Sequence, residues 1–377
     1  MRILALLNGS TAGYSGGDLH TIAVLNEWVG THEVTLMLPS GSSQEIRALV
    51  DPRVAIVGNT KPGKPLGRAR LLVRYSARLI RSCVIVLWQG KRWDVVVASS
   101  HYAFDLVPTA LVRNSKCRRL VYWHHHAVRL TPRPRVLRAL GRASERAALF
   151  LVSQPGWVVL TSNPGTRAYL LGRGLSPSRV RLTHNGSSLR RPNSPDQKVA
   201  EYIRELEPGV KVVVFCGRLS RLKGTRDLGR IARGVTESPY DAIVVAIGHD
   251  GDGAVELRNT LANSIAAGRV ILPGFVDDEE KTALFFRAHV VVSLSYEEGW
   301  SITVGDGLAA GCWVVAYDLP AVRAAFPVGP RYVPVGDKEA FLSEVLWALG
   351  APRPNGIAME ENWQAIAESD LKAICRL

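Results

Sequence analysis

"AHVVVSLSYEEGWSITVGDGLAAGCWVVAYD", residues 288–318, decides the fold. It opens on a short apolar run rich in β-branched residues and turns through "YEEGWS". It then crosses a stretch of helical character and enters a second apolar run. Short apolar runs without polar alternation fit strands covered on both faces, and a helix between two of them fits a parallel sheet. The turn and helix carry two carboxylates, Glu298 and Asp306, eight positions apart. Two readings of this pair are open. Loops and helix starts favour acids for solvation alone; the same pair also suits a site that reads ligand hydroxyls.

Outward from this stretch the pattern repeats. "KVVVFCG" (211–217), "DAIVVAIG" (241–248) and "RVILPG" (269–274) precede it as further strands. An earlier series runs "RILALL" (2–7), "EVTLML" (33–38), "VAIVG" (54–58), "WDVVVAS" (93–99), "RRLVYW" (118–123) and "GWVVLTS" (156–162), with helical patterns such as "GDLHTIAVLNEWVG" (17–30) between them. Between the two series, residues 186–208 are rich in Pro, Ser and charge and read as a linker leading into a helix. The expectation is two doubly wound α/β domains, with ligands at the C-terminal ends of the strands and a cleft between the domains.

The bulk properties agree. A chain of 377 residues is long for one core, and 47% hydrophobic with 21% charged residues is a globular composition. No apolar run reaches the roughly 18 to 20 residues of a membrane span, and "MRILALLNGS" is too short for a signal-peptide core. A cytoplasmic protein is expected. Five scattered cysteines without a CxxC pair argue against a disulfide framework or a zinc site. The net charge of +14, carried by 37 arginines and ten lysines, favours polyanions: nucleic acid, anionic lipid or phosphorylated substrates. No helix-turn-helix, zinc-finger or RNA-binding motif is present, so nucleic acid is not expected as a partner.

Candidate site residues follow the first strand of each series. Gly16 and Gly17 open a helix, where bare N–H groups and the helix dipole favour an anion; a plain structural turn also explains them. In "CGRLSRLKGTRDL", Arg218 and Lys223 stand five apart after a strand, with Gly224 ahead of the next helix. An Arg fork and a Lys point charge suit a diphosphate, although two solvated cations fit as well. "HHH" (124–126) ends another strand. Neighbours in an extended segment point to opposite sides and no HxxxH or DxD partner is present, so one imidazole facing a cleft is preferred to a metal site. The N–H groups of Gly299, Trp300, Ser301 and Ile302 lie at a helix start, where phosphate or sugar oxygens bind.

The order of "SGGDLH", "HHH", "HNG", "GRLSRLKG", "GHDGDG", "PGFVDDEE" and the acid pair resembles the retaining glycosyltransferases of the GT-B fold, family four (glycosyl transferases group 1). The match is closest in the second half, although the order of motifs extends over nearly the whole chain. The resemblance implies two Rossmann-like domains facing across a cleft: residues 1–190 for the acceptor, 209–355 for the donor, and 356–377 as a helix crossing back. It implies transfer of a hexose from a nucleotide-diphospho-sugar (a UDP-sugar or GDP-mannose) to a lipid-linked or glycan acceptor, with retention and with neither metal nor other cofactor. Cell-surface polysaccharide biosynthesis is the expected setting. By resemblance Glu298 holds donor-sugar hydroxyls, with the backbone of 299–302 around the sugar and diphosphate. Asp306 stands where the family has a Glu on the ribose. Arg218 and Lys223 grip the diphosphate, Gly16 and Gly17 approach the phosphates, and Phe275 and Val276 border the base. His124 is the first choice for the imidazole near the transferred sugar, with His125 next. Two departures stand out: Asp306 is one methylene short, and "NGSS" replaces the commoner Asn-Gly-Val-Asp. The alternatives are a non-catalytic sugar-nucleotide or glycan-binding protein and a sugar-nucleotide epimerase.

Two segments, 66–93 and 128–146, concentrate arginine. The first places Arg70, Arg74, Arg78 and Arg81 at helical spacing beside apolar residues ending in Trp88. One reading is a peripheral contact with an anionic membrane on the inner face of the cell; the other is a core helix with one solvated Arg face.

Overall fold

The computed structural model describes residues 1–9, 15–39, 44–58, 68–88, 91–112, 117–125, 135–187, 189, 209–354 and 362–376, without the side chains of 45, 68–74 and 135–142. The chain divides into unit 1, Met1–Asn185 with Glu361–Leu377, and unit 2, Gly186–Glu360. The borders expected from sequence were 190, 209 and 356.

Unit 1 alternates β1 (Arg2–Leu6), α1 (Gly16–Trp28), β2 (Glu33–Leu38), α2 (Gln44–Ala48), β3 (Ala55–Gly58) and α3 (Arg68–Trp88). It continues with β4 (Trp93–Ala98), α4 (Ala103–Leu111), β5 (Cys117–His124), α5 (Arg135–Ser153), β6 (Trp157–Thr161), α6 (Pro164–Leu171) and β7 (Val180–Leu182). All pairings in the sheet are parallel, in the order β3-β2-β1-β4-β5-β6-β7. Side chains leave the central strand alternately. Ile3 and Ala5 enter the core on one face, Leu4 and Leu6 the core on the other, and all four are fully buried. An apolar run without alternation is what two covered faces require.

Unit 2 runs β8 (Lys211–Cys216), α7 (Thr225–Thr236), β9 (Ala242–Ile247), α8 (Ala254–Thr260), α9 (Ala262–Ala266), β10 (Val270–Gly274) and α10 (Asp278–Arg287). Then come β11 (Val290–Ser293), α11 (Ile302–Ala309), β12 (Trp313–Tyr317), α12 (Pro320–Ala325), β13 (Arg331–Val333) and α13 (Lys338–Gly350). The sheet order β10-β9-β8-β11-β12-β13 repeats the Rossmann order of unit 1. Val213 and Phe215 face one core, Val212 and Val214 the other. In each sheet the strand order reverses beside the first strand, between β1 and β4 and between β8 and β11. Loops leaving those strand ends therefore diverge and open a crevice.

The last helix, α14 (Trp363–Cys375), belongs to unit 1 and packs on α1. Trp28 Nε1 donates to Ala367 O at 2.9 Å. No helix among the described residues is long and apolar enough to cross a membrane.

One expectation is corrected here. Arg78 does not join an outward basic stripe on α3: it is fully buried, and its Nη1 donates to Asn8 O at 2.5 Å. The guanidinium lies near the rings of Tyr75 and Phe104, and its charge meets a carbonyl in place of water. The outward positions of α3 are largely apolar: Ile80, Val84, Leu87 and Trp88 are exposed, with Arg81 among them. The side chains of Arg70 and Arg74, and residues 128–134, lie outside what is described.

Candidate active site

The switch point of unit 2 brings together residues 75 positions apart. The loop after β8 passes through a single 3₁₀ turn, Arg221–Lys223, and reverses at Gly224. Gly224 has φ of 80°, and a Cβ there would lie 2.1 Å from Leu294 O in the loop after β11. Only glycine lets the two loops close to this distance. Tyr296 N then donates to Leu222 O at 2.9 Å, fastening one loop to the other. Lys223 Nζ consequently meets Glu298 Oε1 at 2.5 Å, and Ser295 Oγ donates to the same oxygen at 2.8 Å.

A second set of bonds fixes this geometry from below. Asp227, in the first turn of α7 and buried, accepts from Tyr296 Oη at 2.5 Å and Tyr317 Oη at 2.7 Å. Lys338 Nζ lies 3.6 Å from its other oxygen. Burial, together with the bond to Asp227, pushes the Tyr296 phenol up to about 12. The sequence offers no signal for Asp227 beyond an ordinary helix-start acid.

Helix α11 begins at the same crevice in an unusual way. Ser301 has φ of 75°, the sole non-glycine residue with positive φ among those described. A serine held there costs roughly 1–3 kcal/mol, a strain that concentrates at functional sites. Its Oγ is buried without a hydrogen-bond partner and does not cap the helix. The first N–H groups of α11 thus receive no cap from this hydroxyl, and such a helix start favours an anion or a sugar oxygen. Gly299, Trp300 and Ile302 are partly exposed beside it.

Asp306, one turn further on, is fully buried. Its Oδ2 lies 2.6 Å from Lys281 Nζ on α10, and its Oδ1 accepts from Ser187 Oγ at 2.7 Å. Burial is the largest single influence and would lower the Lys281 amine; the charge and hydrogen bond of Asp306, with the charges of Cys216 and Asp278, together outweigh it and hold the amine above the ordinary lysine range. Neither Lys281 nor Ser187 stands out in the sequence.

Other predicted residues are placed as follows. Arg218 is exposed after β8 and, among the described residues, its side chain has no partner; Gly251 leaves room beside it, since a Cβ there would lie 3.1 Å from Arg218 Cγ. Phe275 stacks on His249 at 4.6 Å between ring centroids, and Val276 is buried.

In unit 1, Ser15 caps α1 in a reciprocal box with Asp18, leaving Gly16 exposed. Gly17 faces the His125 ring, whose Cδ2 would lie 2.7 Å from an added Cβ. His124 is buried, with Nδ1 2.7 Å from Tyr122 Oη. His126 lies outside the described residues. His20, about one turn into α1, lies with Nδ1 2.8 Å from Asn185 Oδ1, and burial lowers its pKa to about 4. At the unit 1 switch point Asp105 accepts from Asn8 N at 2.9 Å and from Ser100 Oγ. Burial raises Asp105 to about 7.

A profile of the family "Glycosyl transferases group 1" matches residues 210–350. The match lies within unit 2. The matched residues hold Arg218, Lys223, Lys281, Glu298, Ser301 and Asp306. The D-inositol 3-phosphate glycosyltransferase of Mycobacterium tuberculosis (strain H37Rv) is 28% identical over 187 residues, 48% of this chain and 37% of that protein. The chain thus aligns with little more than a third of that relative's length. Among solved structures, Anabaena HepE in complex with UDP-glucose superposes with a TM-score of 0.70 at 18% identity, covering 98% of this chain and 95% of that one. WaaG, a glycosyltransferase involved in lipopolysaccharide biosynthesis, gives a TM-score of 0.70 at 12% identity with 99% of each chain covered. Those identities speak for fold, and the fold is GT-B: two Rossmann-like units, of which the second contains the residues that match the group 1 profile.

Proposed function

We propose that the chain is a glycosyltransferase. It takes a sugar from a nucleotide-diphospho-sugar, a UDP-sugar or GDP-mannose, and passes it to a lipid-linked or glycan acceptor with retention and without a metal. The observation that carries this reading is the Lys223–Glu298 pair at 2.5 Å, set in the group 1 region beside the strained start of α11. A departing diphosphate needs preorganised positive charge, and Arg218, Lys223 and the α11 N–H groups supply it in one crevice. Glu298, bonded on one oxygen to Lys223 and Ser295, keeps its other oxygen for hydroxyls of the donor sugar. Its role is to orient, and a leaving phosphate oxygen takes the acceptor's proton. Asp306 serves the donor subsite from beneath, through its partners.

Phe275, stacked on His249, and Val276 border the base. The imidazole that unit 1 offers at its glycine turn is His125, because His124 is buried against Tyr122. The exposed Ile80, Val84, Leu87 and Trp88 of α3, on a chain of net charge +14, suit peripheral contact with an anionic membrane. Flotation with anionic but not neutral vesicles checks that contact; equal flotation refutes it.

The decisive experiment is donor turnover in EDTA with a panel of UDP-, GDP- and ADP-sugars. One donor is expected to be hydrolysed slowly and to raise the melting temperature. Lys223→Ala is expected to fold and to lose on the order of 10²-fold in rate. Turnover near the wild-type level in that variant, or no turnover of any donor, would sink the reading.

A further inference from the structure

Glu298 and Asp306 each hold a lysine, but only the first of the two carboxylates keeps exposed surface. In the first pair both side chains are partly exposed, 33% for Lys223 and 16% for Glu298. In the second, Asp306 has no exposed surface while Lys281 keeps 12%. With no exposed surface, the Asp306 carboxylate is closed off from a bound molecule by the side chains around it, Lys281 and Ser187 among them. What surface the pair keeps belongs to the lysine.

We propose that Lys281 is the residue that reads the ribose of the donor nucleotide, with Asp306 as its positioning residue. The proposal rests on the donor reading above. Its first support is location. Lys281 sits in the first turns of α10, directly after Phe275 and Val276, the residues given to the base. Its partner Asp306 lies on α11, whose Thr303 Oγ1 donates to the carbonyl of Cys216, the last residue of β8, at 3.0 Å. Arg218 and Lys223, the residues given to the diphosphate, depart from that same strand end. A ribose joins base to diphosphate, so a group that neighbours both belongs beside it.

The second support is energetic. A buried Lys–Asp pair contributes little net stability, because desolvating two charges offsets their attraction, and two apolar side chains would fill the space as well. Stability therefore does not account for a charged pair in this place, whereas donating a hydrogen bond does. The chemistry differs from that of a carboxylate in one respect: an ammonium donates to the hydroxyl oxygen and accepts nothing.

Calorimetry on the full chain tests this with UDP and GDP and with the 2′-deoxy and 3′-deoxy forms of each. The ribonucleotide that binds is expected to lose about tenfold in affinity when one hydroxyl is removed, as for a hydrogen bond to a charged group. Lys281→Met combined with Asp306→Leu removes both charges at once and leaves no unpaired ion. This double variant is expected to fold and to bind ribo and deoxy forms alike. Asp306→Asn leaves the lysine in place but unclamped and is expected to shrink the ribo-over-deoxy ratio, which a merely structural acid would leave at its wild-type value. Discrimination that survives in the double variant, or that is absent from the wild type, overturns the proposal while leaving the donor reading intact. Failure of both nucleotides to bind the wild type overturns the donor reading, and the proposal with it.

Discussion

The two units repeat one topology and fill its switch point in opposite ways. Beside β8 and β11 the side chains are paired across short salt bridges: Lys223 with Glu298, Lys281 with Asp306. Beside β1 and β4 two buried titratable groups are shifted towards their neutral forms, although the Asp370 carboxylate lies 3.8 Å from His20 Nε2. Asp105 is raised to about 7 and His20, on α1, is lowered to about 4, in both cases chiefly by burial. Desolvation acts on both units alike; a partner of opposite charge at 2.5–2.6 Å is what unit 2 adds. A crevice that keeps its charges can bind an anion. One that neutralises them offers hydrogen bonds and shape.

The sharpest test of this contrast removes one member of a pair. Asp306→Ala leaves the Lys281 ammonium in an almost closed site with no counterion, a loss of about 3–5 kcal/mol in urea unfolding. Glu298→Ala strips the partner from Lys223, which is a third exposed and can be hydrated, so its cost is expected to stay at about 1 kcal/mol or less. Equal losses would show that the two pairs are not buried to different degrees in solution.

Unit 1 makes its own test through pH, because its two groups have opposite signs. His20 has a folded pKa below the ordinary 6.5, so its contribution is present above that value and is lost as pH falls towards 4. Asp105 has a folded pKa above the ordinary 3.8, so its contribution is present below that value and is lost as pH rises through about 7. Each amounts to roughly 3–4 kcal/mol at 1.36 kcal/mol per pKa unit, and between pH 4 and 6.5 they oppose one another. Wild-type stability is expected to vary little there. His20→Gln is expected to lose stability as pH rises across the window, and Asp105→Asn to lose it as pH falls. Parallel pH profiles for the two variants would contradict the assignment.

The same contrast explains what could be read in advance. The central strands were legible because burial on both faces demands unbroken apolar runs, as in "KVVVFC" and "WDVVVA". The edge strands β7 and β13 were not: "VRL" and "RYV" are three residues each, carry arginine, and pair on one side only. Glu298 and Lys223 could be picked out because both lie in loops at strand ends with glycine nearby. Lys281, Ser187, Asp105 and Asp227 could not, since each looks like an ordinary surface residue until the sheet order brings its partner to it. Arg78 misled for the complementary reason. Helical spacing placed it on a basic stripe, and only the carbonyl of Asn8, 70 positions away, makes its burial tolerable.

The smallest predicted effect concerns how the charged crevice keeps its geometry. Tyr296 holds the Glu298 loop at two points, through its N–H on Leu222 and its hydroxyl on Asp227. Tyr296→Phe keeps the first and removes the second. Asp227 retains Tyr317 and the nearby Lys338, so the loss of stability is expected to be about 1 kcal/mol, one hydrogen bond's worth. Turnover should fall by less than tenfold, far short of Lys223→Ala, because the lysine and its carboxylate both remain. If Tyr296→Phe instead costs as much turnover as Lys223→Ala, the loop is held mainly by that hydroxyl. The Lys223–Glu298 contact would then be a consequence of the Asp227 clamp, and Asp227→Asn should reproduce the loss with Tyr296 intact.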